Sequence, residues 1–252
     1  MLNHLKEEDV VKLKVAAWDR LHPERIAFFF WGVFILGAVA TGVAALAVYN
    51  SPVPVGGGLM LTVQAAVGLL VIQFIVSLFF SIGDTVYKHQ KLQAVLLNVM
   101  AFKASMDMYI VFFALCGVRD VPGYVSDMGA VLLAGGILYF VLSLLRGIRR
   151  AGSGSFREGG QGLYNFRQSL VYVSIPVIFA VSVFGALIAR SSSDLSLLTG
   201  QPVDAYMLLL LAAVLQYSIA VAWPEFVLFA YCKSRFPSFM MKKEQPARRT
   251  LR

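Results

Sequence analysis

Residues 26–49 read IAFFFWGVFILGAVATGVAALAVY, a run without a single charged side chain. At 1.5 Å per helical residue it reaches about 36 Å, enough to cross a hydrocarbon core of about 30 Å. It is apolar all round, so no amphipathic stripe marks it as a surface helix of a water-soluble fold. Further apolar stretches follow at 58–82, 92–118, 128–145, 169–189 and 205–232. With 58% apolar residues among 252 and a mean hydropathy of +0.73, little sequence remains for a soluble domain. The expectation is an all-α polytopic membrane protein, a bundle of six transmembrane helices.

Working outward from the spans, the connections sort by charge. Segments 1–25, 84–91, 146–168 and 233–252 carry 5, 2, 5 and 7 of the 22 Lys and Arg residues. The alternate connections, 50–57, 119–127 and 190–204, carry only Arg119 and Arg190, and Lys103 lies inside a span. The positive-inside rule predicts both termini in the cytoplasm. A net charge of +8 in a soluble chain would suggest nucleic acid. Here the cations border spans on one side, so they read as a topology signal facing anionic headgroups, and nucleic acid is not expected as a direct partner. The first apolar run follows about 25 mixed-charge residues and is expected to act as an uncleaved anchor.

The domain layout expected is therefore a segment 1–25, a transmembrane domain 26–232 interrupted by a basic, Gly-rich cytoplasmic loop 146–168, and a basic tail 233–252. Residues 6–22, KEEDVVKLKVAAWDRLH, place Val10, Leu13, Ala17 and Leu21 on one helical face with Trp18 beside it. That pattern predicts an interfacial helix on the inner leaflet, with the indole at headgroup level. Pro23 breaks it from the first span. Gly135-Gly136 in span four predicts a close helix approach, Pro176 in span five a kink, and GSGS at 152–155 a cytoplasmic hinge. Span three, with Asn98, Lys103 and Asp107, is the most polar and is expected to enter the bilayer near residue 98 if its first turns lie in the cytoplasm.

Ionisable groups at membrane depth are where chemistry is sought first, because burying one alone costs several kcal/mol. Lys103 and Asp107, four residues apart, share a helix face and pair; the functional reading is a proton or ion relay, the alternative a self-neutralised pair with Lys103 snorkelling inward. Glu225, next to Pro224, either stays protonated, pairs with Lys103 or an inner Arg, or sits at the interface. Gln64, Gln73 and Gln216 read as interhelical hydrogen-bond donors. Cys116 and Cys232 fall at opposite faces, so they neither pair nor have metal-ligand spacing. No span holds a histidine, and neither HExxH nor a phosphate-binding Gly-Lys-Ser/Thr loop occurs. No enzyme activity, cofactor or metal is expected.

The run LLRGIRRAGSGSFREGGQGLYNFRQS, followed by SIPVIFAVSV, resembles the last third of inner-membrane proteins of integrative conjugative elements and conjugative plasmids. The positions that carry the resemblance are Arg146, Arg149, Arg150, Gly152, Gly154, Arg157, Glu158, Tyr164 and Arg167, within about 50 residues. Where those proteins carry a sizeable extracytoplasmic region after the first span, this chain has only NSPVPVGGG. The resemblance implies a non-catalytic subunit of a conjugation or type IV secretion apparatus in a bacterial inner membrane. Its partners would be anionic lipid, other membrane subunits or a cytoplasmic ATPase, contacted through Arg146, Arg149, Arg150, Arg157, Glu158, Tyr164 and Arg167. Two alternatives remain from layout and charge: the permease half of an ATP-driven exporter, and an ion- or proton-coupled carrier using Lys103, Asp107 and Glu225.

Overall fold

A computed structural model describes residues 5–119, 121–163 and 202–242. Every regular element among them is helical. A 3-10 turn, Glu7–Val10, leads into α1 (Val11–Trp18). The long helices are α2 (Pro23–Tyr49), α3 (Gly57–Phe79), α5 (Gln90–Val118), α6 (Gly123–Gly152) and α7 (Pro202–Arg235), with a one-turn helix α4 (Thr85–Lys88) before α5. The five long helices are all long and apolar enough to cross a membrane. The stretch 169–189 and Pro176 lie outside the described residues.

Local sequence explains the ends. Pro23 opens α2, where its missing N–H is one that no helix would pair and its φ is already helical. Gly56 precedes α3, and Pro122 precedes α6. Span three is one unbroken helix from Gln90, so Asn98 lies well inside it and Lys103 falls near its midpoint. The helix after the second tight connection runs on to Gly152, so Arg146, Arg149 and Arg150 are helical rather than part of a loop.

The helices pack in a row, α3–α2–α5–α7–α6, because α5 makes its main contacts with α2 and α7 while α3 leans on α2 and α6 on α7. Small residues set the close approaches. A methyl added to Gly136 of α6 would overlap the Gln216 amide of α7, one on Gly129 would meet the Phe112 ring of α5, and one on Gly147 would lie 2.6 Å from Pro224 Cβ. Glycine is needed at these points because a side chain would hold the helices apart.

At the end of the bundle that holds Pro23, Gln90 and Arg235, three segments remote in sequence close into a cap. Leu5, Val10, Leu13, Ala17 and Leu21 are buried in one cluster with Phe156, Leu163, Phe229, Phe239 and Met241. The apolar face of the N-terminal segment is thus spent on protein, whereas Val15 and Trp18 project outward. The loop 153–163 is a compact series of turns rather than a hinge. Gly154, Gly159 and Gly162 take φ of 76°, 78° and 69°, a region open to glycine at little cost.

Candidate functional site

The bundle holds two polar constructions. The first lies at mid-depth. Gly37 is 14 residues from the start of α2 and 12 from its end, about 20 Å from either. Opposite it, Lys103 Nζ donates to both carboxylate oxygens of Asp107, at 2.8 and 2.9 Å. Helical periodicity puts both residues on one face of α5, and the bare Cα of Gly37 lets that face come close. A Cβ on Gly37 would stand 3.0 Å from Asp107 Oδ2, 3.0 Å from Lys103 Nζ and 3.4 Å from Gln73 Oε1 of α3. Carboxylate, ammonium and amide therefore converge on one point between three helices. Asp107 and Gln73 are each only 1% exposed. Both side-chain polar atoms of Gln73, and Oγ1 of the buried Thr41 one turn beyond Gly37, lack a hydrogen-bond partner among the described residues. Lys103 does not snorkel: its ammonium is held by Asp107.

Glu225 is not part of this cluster. Its Oε1 accepts from Arg20 Nη2 at 2.7 Å, at the edge of the cap, so the proposed trio of Lys103, Asp107 and Glu225 separates into two ion pairs. Glu225 lies beside a cleft of about 580 Å³ lined also by Lys12, Val15, Arg20, Phe156 and Gln161.

The second construction is the cap itself. Arg157 Nε donates to Asp9 Oδ1 at 2.6 Å, and the Lys12 backbone N–H donates to the Phe156 carbonyl at 3.0 Å. Lys12 Nζ reaches the Gly160 carbonyl. The Lys6 backbone N–H beside Asp9, and then the Arg157 guanidinium, hold the Asp9 carboxyl below the usual carboxylate range. Arg150 Nη1 donates to the carbonyls of Gly162 and Leu163, at 3.3 and 2.6 Å, and so fixes the end of the loop. On the far side Gln90 joins the tail to the bundle. Its Nε2 donates to Met241 O at 2.6 Å, while its Oε1 accepts from Lys233 Nζ and the Met241 N–H. Lys233 is fully buried, with its ammonium 4.7 Å from the centre of the Phe229 ring.

Of the basic-loop residues singled out by sequence as partner- or lipid-contacting, Arg150 and Arg157 are thus engaged within the protein. Arg149 and Glu158 are exposed, Arg146 is half-buried, and Tyr164 and Arg167 lie outside the described residues. Cys116 and Cys232 are both free thiols. Sequence reasoning missed Gly37, Thr41 and the convergence of Gln73 on the pair. A glycine between apolar residues carries no sign of what the neighbouring helix brings to it. Among the described residues no group of three His, Cys, Asp or Glu side chains is placed to hold a metal ion. Comparison with protein-family models, with curated proteins and with solved structures returns no match.

Proposed function

We propose that the chain is a non-catalytic integral subunit of a multi-protein envelope apparatus, of the conjugation or secretion kind, in a bacterial inner membrane. In this reading the capped end and both termini face the cytoplasm, and residues 169–189 add a sixth crossing. The observation that carries it is the cap. Residues 5–21, 153–163 and 236–241 are gathered onto the ends of the bundle by hydrogen bonds and a shared apolar cluster, which makes one firm surface from three chain segments. That surface is cationic: Lys88, Lys91, Arg149 and Lys242 are exposed on it, next to Arg20, Arg25 and Arg157. A preformed cationic surface suits anionic headgroups and the acidic face of a partner subunit, because little ordering entropy remains to be lost on docking.

The test is neutralisation rather than deletion, since removing residues 151–162 would dismantle the cap. Lys91→Gln, Arg149→Gln and Lys242→Gln combined should leave insertion and amount unchanged, because each of the three segments keeps other basic residues. In native membrane extracts the protein should then shift from a high-molecular-weight complex to the free form. Co-migration of the triple variant at the wild-type size refutes the reading. A cytoplasmic ATPase that co-purifies and turns over faster with the wild-type protein would favour the exporter alternative.

A further inference from the structure

We propose that α3 is the contact helix between two copies of this chain, with the Gln64 side chains paired across a two-fold axis normal to the membrane. This inference is independent of the subunit reading, since it concerns the lipid-facing side of the bundle and not its cap.

Among the side-chain amides on the long helices, Gln64 is the exposed one. Gln73, Gln90, Gln93 and Gln216 are buried and Asn98 is half-buried. The buried face of α3 is made by Val63, Ala66, Gln73 and Ser77. Gln64 lies nine residues before Gln73, two and a half helical turns, and so points away from the bundle. Its amide makes no hydrogen bond among the described residues. α3 ends the row, and it is the least buried of the five helices long and apolar enough to cross a membrane. Gln64 is 7 residues, about 10 Å, from the start of α3 and 15, about 22 Å, from its end. A short side chain at that depth does not reach water. In hydrocarbon its donors and acceptor stay unsatisfied until another polar group comes to them.

Two features select a second copy as the source of that group. A primary amide carries donors and an acceptor together, so two of them exchange N–H···O bonds, the self-complementarity that a two-fold contact requires. Both copies also insert with one orientation. A two-fold axis normal to the bilayer then sets identical residues at equal depth, and Gln64 meets Gln64. The surface around it permits the approach. Leu61, Gln64, Gly68, Val71, Ile75 and Leu78, spaced alternately three and four apart, form one exposed seam along α3. Gly68 stands one turn beyond Gln64, and a Cβ built on it meets nothing within 4 Å. No neighbour within the described chain requires glycine there, whereas a closely crossing helix does.

The experiment uses the full-length protein in phosphatidylcholine vesicles, as donor- and acceptor-labelled populations diluted stepwise with lipid. Expected is energy transfer between copies that falls on dilution as a dimer dissociates. Gln64→Leu should weaken the association about tenfold. Gly68→Ile should weaken it at least as much. Neither should lower thermal stability at high dilution, because neither position packs on another helix of the described chain. In native membranes and a Cys116→Ala background, with Cys232 buried, Ile75→Cys should crosslink copy to copy under mild oxidation. Leu69→Cys, exposed on the same helix but turned away from the seam, should crosslink at least fivefold less. Absence of energy transfer in the wild type overturns the proposal, as does an association unchanged in Gln64→Leu. Equal crosslinking at the two positions also overturns it. So does capture of a different polypeptide by Ile75→Cys in place of a second copy, which would assign the seam to another protein's helix. If Gly68→Ile fails to insert, Gln64→Leu and the crosslinks still decide the matter.

Discussion

Gly136 offers the sharpest test of the helix packing. Its Cα faces the Gln216 amide so closely that the methyl of an alanine would occupy the same space. Gln216 is fully buried, and its Nε2 donates to the Leu133 carbonyl of α6 at 3.2 Å. Gly136→Ala therefore forces the amide out of its place. Overpacking costs about 1–3 kcal/mol, and the interhelical hydrogen bond about 1 kcal/mol more. Helix propensity contributes little, because the separated helices stay helical in lipid. The expected loss is about 2–4 kcal/mol in equilibrium unfolding in mixed micelles. Gly42→Ala is the control: nothing stands within 4 Å of its added Cβ, and it should be neutral within about 0.5 kcal/mol. The double variant Gly136→Ala/Gln216→Ala removes the obstructing amide and should be at least 1 kcal/mol more stable than the sum of the single losses. Simple additivity, or a Gly136→Ala protein as stable as wild type, would refute this account of how α6 seats on α7.

The cap yields three further expectations. The Asp9 carboxyl has its folded pKa depressed, so its contribution to docking is fully present above the unfolded value of about 3.9 and is lost as pH falls through the lower folded value. Hydrogen exchange at the Lys12 amide should thus be protected at pH 5–7 and accelerate below about pH 4, and Arg157→Ala should lower protection at neutral pH. Arg20→Ala strands a carboxylate that is 9% exposed, whereas Glu225→Gln removes the charge. Since Arg20 is itself 64% exposed, the first should cost only about 1 kcal/mol and the second less, as read by thermal unfolding. Gln90→Leu deprives the buried Lys233 of its oxygen partner and should release the tail to protease near Met240. Adding Lys233→Met removes the stranded ammonium but not the loss of both bonds to Met241, so the tail should stay cleavable; a tail equally protected in Gln90→Leu would show that other contacts hold it.

Much of this was legible from the chain, for identifiable reasons. The apolar run of α2 has a period-free pattern that only lipid or a deep core tolerates, and it is a single helix. The i,i+4 spacing of Lys103 and Asp107 predicts their pairing, and they pair. The amphipathic face of residues 6–22 was visible, but its partner was not. Val10 and Leu13 are buried on Phe156 and neighbouring groups well over a hundred residues away, and periodicity carries no information about what an apolar face will meet. For the same reason the Gly-rich loop read as a hinge. Its glycines allow loose chain and tight left-handed turns alike, and the contacts to Asp9 and Lys12 select the turns.

The polarity of α5, which made it look least like a span, follows from its place in the row. Among the five helices, the most apolar window of each is least apolar where burial in protein is greatest. The mean hydropathy is 1.6 for α5, half of whose window is buried, and 2.3 for α3 and α6, of which 17% and 22% are buried. The two helices of intermediate burial, α2 and α7 at 39%, have 2.2 and 2.0. Lipid is the solvent that demands apolar side chains, so a helix freed from it on two sides can carry amides and charges, provided each finds a partner. On α5 most of them do, with partners on α2, on α7, in the tail and on α5 itself. Gln90 holds the tail and Lys233, Gln93 donates to the Pro23 carbonyl at 2.7 Å, and Asn98 donates to the Phe226 carbonyl at 3.1 Å. Lys103 and Asp107 satisfy each other against Gly37. Polar residues on this helix therefore serve as the registers that fix α2, α7 and the cap around it. Moving any of them by two positions would turn it toward another neighbour, where its partner does not lie.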